Sequence, residues 1–165
     1  MILAIDVGNT NIVLGCIDDQ KVYFTERVST DPAKTELEYA VAVKTVLELY
    51  NIRKEDITGA VISSVVPPLN GIFSSAINKL LNVKPIIVGP GVKNGLNILM
   101  DNPKQLGADL VVDAVAGIHE YGAPLIIVDM GTATTICVID RNKNYIGGVI
   151  IPGVHVSLDS LTSKT

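Results

Sequence analysis

Residues 5–10 read IDVGNT, and residues 128–132 read VDMGT. Each phrase closes an apolar run on an aspartate, one spacer and a glycine. The runs are Ile2-Leu3-Ala4-Ile5 before Asp6 and Leu125-Ile126-Ile127-Val128 before Asp129. A buried strand that ends on a carboxylate needs a use for that charge, because a charge away from water is costly unless it is paired. The glycine that follows lets the chain turn tightly and lets another group approach the backbone closely. The sequence can be laid on itself, IDVGNTNIVLGCID over VDMGTATTICVID. Asp6 then falls on Asp129, Gly8 on Gly131 and Asn9 on Thr132, at an offset of 129 − 6 = 123 residues. This is an internal repeat.

Working outward, 2–7, 12–18 and 21–28 read as three strands, the last two joined by the polar turn Asp18-Asp19-Gln20. Residues 35–50 carry apolar side chains at helical spacing. The run Ala60-Val61-Ile62 reads as a buried strand that ends in a loop at Ser63-Ser64 and Pro67-Pro68. A helix over 69–81, a strand over 84–88 and a helix over 103–120 follow. Strands then resume at 124–129, 134–140 and 145–151. The order is β-β-β-α-β-α-β-α and then β-β-β again. It predicts a duplicated α/β fold, with a first domain over 1–120 and the opening strands of a second over 121–165. With a unit of about 120 residues, the second copy is incomplete, and the chain is expected to be a fragment of the duplicated whole.

Composition sets limits. Of 165 residues 48% are hydrophobic and 18% charged, which predicts a well-cored globular chain. Aromatic residues make up 4% and there is no Trp, so the core must be aliphatic. The net charge of −4 argues against a nucleic-acid backbone as partner. Cys16 and Cys137 lie in apolar runs with no metal-ligand spacing, and are expected to be core thiols. No run approaches the ~20 apolar residues of a membrane span, and no signal-peptide pattern opens the chain. The expected location is cytoplasmic.

A strand-Asp-x-Gly-x-Thr hairpin suits phosphate. The glycine admits close approach, turn amides and the Asn and Thr side chains can donate to oxygens, and the aspartate can hold a hydrated Mg²⁺. Two such turns in a duplicated scaffold predict a nucleotide site. It is neither a Walker loop nor a Rossmann fingerprint, since neither GxxxxGK[ST] nor GxGxxG after a strand occurs. Asp109, near the start of the 103–120 helix, is a candidate general base, with Gly107 and Ala108 leaving space beside it. A carboxylate at that place is also favoured by the helix dipole alone. His119 reads as a helix-terminal charge. His155, after Pro152-Gly153, is a weaker candidate for a ligand contact. Ser63-Ser64 has no base near it in sequence and reads as strand-end packing. Gly147-Gly148 and Pro152-Gly153 suit either close approach to a ligand or a simple turn of the chain.

The duplicated hairpins resemble those of the actin-like, ribonuclease H-like superfamily of sugar kinases and heat-shock ATPases. The finer resemblance is to type III pantothenate kinases, a family once described as Bvg accessory factor-like regulators. It rests on DVGNTN at 6–11, ISSVVPPL at 62–69, DNPKQLGAD at 101–109, DMGTATT at 129–135 and GGVIIPG at 147–153. The resemblance implies transfer of the γ-phosphoryl group of ATP to the primary hydroxyl of pantothenate, the first step of coenzyme A synthesis. It implies ATP, Mg²⁺ and a monovalent cation, K⁺ or ammonium, as cofactors, and a homodimer. By it Asp6, Val7, Gly8, Asn9, Thr10, Asn11, Ile12 and Val13 form the first phosphate loop, and Thr132 contacts ATP. Asp129, with Asp6, holds metal, and Asp109 is the base. Met100, Gly107, Ala108, Asp109 and Leu110 line the acceptor pocket. Two positions depart from the family pattern. Leu110 stands where the family's GADR motif has arginine, and Met100 where a tyrosine is usual. An arginine there would pair with the pantothenate carboxylate as a charge-assisted fork, which leucine cannot do. The departures leave two alternatives, a kinase with another acceptor and a non-catalytic regulator.

Overall fold

A computed structural model describes residues 1–163. Their contacts divide them into two compact units, Met1–Val92 and a second from Lys93 onward. The division falls before the expected 120/121 boundary, which was drawn on the sequence repeat.

The first unit holds a five-stranded sheet of β1 (Ile2–Val7), β2 (Asn11–Ile17), β3 (Val22–Ser29), β4 (Gly59–Ser64) and β5 (Ile86–Ile87), in the order β3-β2-β1-β4-β5. β1 and β2 are antiparallel, as are β2 and β3; β4 runs parallel to β1. Side chains alternate faces along a strand. Leu3, Ile5 and Val7 therefore point together into the core while Ala4 and Asp6 point to the other face. That core also takes Ile12, Leu14 and Cys16 from β2 and Ala60 and Ile62 from β4. Two helices complete it. Helix α1 (Glu36–Leu49) buries Tyr39, Ala40, Val43, Val46 and Leu47. Its start is fixed by a capping box, in which the Glu38 amide donates to Thr35 Oγ1 and the Thr35 amide to Glu38 Oε2. Helix α2 (Pro67–Leu81) buries Leu69, Phe73, Ala76, Ile77 and Leu81. The prolines that read as loop open α2 instead. Proline at the first helical positions gives up an amide that would have no partner there. Each fully buried aliphatic or aromatic side chain contributes roughly 1.5–3 kcal/mol.

The second unit holds β6 (Asn97–Ile98), β7 (Leu125–Met130), β8 (Ala133–Ile139) and β9 (Asn144–Pro152) in the order β6-β9-β8-β7. The three long strands form the second copy of the β-β-β motif. β6 has two residues, too few for a periodic signal, and the sequence reading missed it. Helix α3 (Ala108–Tyr121) packs on β7 and β8. It begins later than the expected residue 103, because Pro103–Gln105 form a separate 3-10 turn and Gly107 caps α3. Leu110, Ala114, Cys137, Ile139 and Tyr145 form its core. A last helix, α4 (Val154–Thr162), follows β9. Both cysteines are free and buried. Among the described residues no helix is long and apolar enough to cross a membrane.

Candidate functional site

The first Asp-x-Gly turn connects β1 to β2. The Gly8 amide donates to the Asn11 carbonyl at 3.0 Å, closing a turn whose residues Asn9, Thr10 and Asn11 are exposed. A Cβ on Gly8 would stand 2.9 Å from that carbonyl oxygen, so the turn has no room for a side chain there. The start of the next loop holds it from outside. Thr30 Oγ1 donates to the Gly8 carbonyl at 2.6 Å, and the Thr30 amide donates to the Thr10 carbonyl at 3.0 Å. Val7 and Ile12 are 1% and 0% exposed, so from these two only backbone groups are available to a ligand. Asp6 is half-buried on the face away from the core, and its cross-strand neighbour is Val13.

The second turn follows the same plan with one residue fewer. The last pair before the first turn is Val7 with Ile12, a step of 12 − 7 = 5 residues. Before the second it is Met130 with Thr134, a step of 134 − 130 = 4. The Gly131 amide donates to the Ala133 carbonyl at 3.0 Å. Here the clamp is backbone. The Gly153 amide donates to the Thr132 carbonyl at 3.0 Å, and a Cβ on Gly153 would lie 2.3 Å from the Gly131 oxygen and 2.5 Å from the Thr132 oxygen. Gly153 is also the N-cap of α4. The close approach therefore sets the first turn of α4, whose leading amides have no partner within the helix, against residues 131–132. Such a helix start favours an anion. His155 is exposed in that first turn.

Asp129, beyond its pairing with Thr135, is exposed. It lines a cleft of about 380 Å³ between α3 and β7, together with Asp113, Gly117 and Tyr121. Gly117 lets α3 sit close, since a Cβ there would lie 2.9 Å from both Leu125 Cδ1 and Ile127 Cδ1. Among the described residues no group of three or more His, Cys, Asp or Glu side chains could hold a metal. The chemistry of each turn, one carboxylate beside a glycine turn, suits a hydrated Mg²⁺ shared with phosphate oxygens and does not build an all-protein cage.

Asp109 is half-buried at the second position of α3, where Oδ1 accepts from the Leu110 amide at 2.8 Å. Gly107 precedes it as N-cap and accepts from the Val111 amide at 3.2 Å. Leu110 is only 9% exposed and belongs to the apolar cluster with Ala114, Cys137, Ile139 and Tyr145, against which Met100 packs. Beneath Asp109 this wall is therefore apolar. Burial pushes the Tyr145 phenol up to about 12, helped by its neighbour Cys137. Burial likewise raises the Cys137 thiol. Neither is an ionised nucleophile at neutral pH.

Thr30 escaped the sequence reading, in which Ser63 reads as strand-end packing and Gly153 as close approach or a turn. Thr30 and Gly153 fasten the two turns, and the Ser63 hydroxyl is buried beside Asp6. Gly153 left a signal as a Pro-Gly pair after a strand and Ser63 as a Ser-Ser pair at a strand end, whereas Thr30 left none.

The chain is similar to proteins of known family and fold. The family model for type III pantothenate kinase matches residues 2–165. A type III pantothenate kinase from Geobacillus sp. (strain WCH70) is 51% identical over 164 residues, covering 99% of this chain and 64% of that relative. The chain thus spans a little under two thirds of the length of the curated relative it matches. Among solved structures, the activator of the 2-hydroxyisocaproyl-CoA dehydratase from Clostridium difficile, with bound ADPNP, matches with a TM-score of 0.60 at 12% identity, over 99% of this chain and 52% of that one. The ethanolamine utilization protein EutJ from Carboxydothermus hydrogenoformans matches with a TM-score of 0.52 at 18% identity, over 98% of this chain and 56% of that one. These likenesses show the fold, an actin-like α/β fold. With the family model matched along essentially its whole length, the chain belongs to the type III pantothenate kinase family.

Proposed function

We propose that the protein transfers the γ-phosphoryl group of ATP to the primary hydroxyl of pantothenate. The observation that carries this reading is the pair of Asp-x-Gly turns built to one plan, in a chain that belongs to this family. The first turn supplies Gly8 and the exposed residues Asn9, Thr10 and Asn11 to phosphate oxygens. The second supplies Thr132 and the first amides of α4. Asp6 would hold a hydrated Mg²⁺ and Asp129 a monovalent cation, K⁺ or ammonium. When bound, such cations offset the charge that builds up on the phosphoryl oxygens. Asp109 accepts the proton of the acceptor hydroxyl through its Oδ2, since Oδ1 is engaged by the Leu110 amide. Gly107 and Ala108 line the acceptor side, and Leu110 and Met100 form its apolar wall. The Geobacillus relative carries the name of the activity proposed here. The protein acts as a homodimer in the cytoplasm.

A coupled assay of ADP release by the full-length protein tests the reading, with pantothenate and a panel of other small alcohols as acceptors. Release that depends on pantothenate supports it. Release that depends on another alcohol overturns the choice of pantothenate and assigns the same chemistry to a different acceptor. No acceptor-dependent release contradicts the reading.

A further inference from the structure

Ser63 occupies an unusual place. β4 runs parallel to β1 with Ser63 directly beside Asp6. Residues paired in this way project to the same face of the sheet, so the hydroxyl and the carboxylate are neighbours on the face opposite Leu3, Ile5 and Ile62. Ser63 is 5% exposed, and its Oγ has no hydrogen-bond partner. The chain after β4 is fastened without it. The Val65 amide donates to the Val7 carbonyl at 3.0 Å, and the Val66 amide to the Oγ of Ser64, not Ser63, at 3.1 Å. A buried hydroxyl without a partner is destabilising, and an alanine would fill the same space without that cost. The location gives the hydroxyl a use. Asp6 and Ser63 lie near the carboxyl ends of adjacent parallel strands, the edge of a sheet where α/β proteins bind ligands.

We infer that Ser63 is a positioning residue for the divalent cation on Asp6: its hydroxyl hydrogen-bonds a water in the coordination shell of that cation and fixes the water against the carboxylate. The inference rests on the proposed nucleotide site. It adds a residue from β4 to a loop otherwise formed by residues 6–13. Mg²⁺ keeps several waters when it binds protein, and a neutral hydroxyl can orient one of them without changing the charge of the site. The role therefore shows only when the cation is present.

The test compares wild type with Ser63→Ala in the full-length protein, by calorimetric binding of ADP with Mg²⁺ and of ADP with EDTA, and by thermal unfolding without ligand. The expected result has three parts. Affinity for ADP with Mg²⁺ falls about 10-fold or more, the effect of losing a hydrogen bond to a charged cluster. Affinity for ADP in EDTA is unchanged. The unliganded variant melts at or above the wild-type temperature, because an unpartnered hydroxyl has been removed. Equal affinity of the two proteins for Mg²⁺-ADP overturns the inference. So does a loss of equal size with and without Mg²⁺. A variant that melts lower, or does not fold, shows a structural role and overturns it too. Wild type that binds no Mg²⁺-ADP defeats the functional reading and this inference together, whereas wild type that binds beside an unaffected variant defeats this inference alone.

Discussion

The two Asp-x-Gly hairpins share a sequence pattern and differ in surroundings. β1 is bonded on both sides, by β2 and β4, and Leu3, Ile5 and Val7 are at most 2% exposed. β7 ends its sheet among the described residues, with β8 as its neighbour on one side. On its outward face Ile126, Val128 and Met130 are 66%, 53% and 70% exposed. The two strands are equally apolar, so composition did not decide their burial. An apolar strand is buried by its neighbours, and the propensity of the strand itself says little about whether those neighbours are present. The turns differ as well. Each is bonded by a backbone amide, of Thr30 and of Gly153; the first adds the Thr30 hydroxyl, and the second adds the close approach of Gly153 to two carbonyl oxygens.

That difference predicts unequal sensitivity. Gly153→Ala drives a Cβ into two carbonyl oxygens that belong to rigid backbone, whereas Gly8→Ala meets one oxygen at 2.9 Å. Overpacking of this kind costs about 1–3 kcal/mol, so Gly153→Ala is expected near ~3 kcal/mol and Gly8→Ala near ~1 kcal/mol. Thermal unfolding of the two variants measures the gap. Equal losses would mean that the second turn yields as easily as the first, and the closer approach at Gly153 would make no difference.

Thr30→Ala removes one side-chain hydrogen bond to the first turn and leaves the backbone bond from the Thr30 amide. The expected loss is about 1 kcal/mol, with amide exchange faster at residues 8–11 and unchanged at 131–133. Faster exchange at the second turn would show that the two turns are not held independently.

A further effect, confined to alkaline pH, concerns the core of the second unit. The Tyr145 phenol ionises at about 12 in the folded chain against an ordinary 10.0. The unfolded chain therefore gives up this proton first as pH rises. The stabilisation is complete below about 10 and is lost as pH rises through about 12. Melting temperature against pH from 9 to 12, a range on the order of the ordinary tyrosine pKa and above, should fall less steeply for Tyr145→Phe than for wild type. Parallel curves would place the alkaline loss elsewhere.

Most of the fold could be read from period and punctuation. The long strands and the first two helices lie within a residue or two of where alternation, helical spacing and turn residues put them, apart from the prolines that open α2. Asp6, Gly8, Asp129 and Gly131 could be read because a repeat sets them in register with each other. Thr30 could not, and for Ser63 and Gly153 the partners could not, since each acts on a residue distant in sequence: Thr30 on Gly8 across 22 residues, Gly153 on Thr132 and Ser63 beside Asp6. Such pairings follow from sheet register and loop return, which leave no local pattern. Leu110 shows another limit. As a departure from GADR it reads as a changed substrate contact and by helical spacing as part of an apolar face, and the fold buries it in the cluster under α3.

The central claim is that Asp6 and Asp129 are each needed for phosphoryl transfer. Its most direct test follows the label from γ-³²P ATP into pantothenate, using the full-length protein as wild type, Asp6→Asn and Asp129→Asn, each checked for folding by its melting temperature. A cation-holding carboxylate contributes several kcal/mol of charge stabilisation in the transition state. The account predicts transfer by wild type and a loss of at least about 100-fold in each folded variant. Transfer at the wild-type rate by either variant would contradict it.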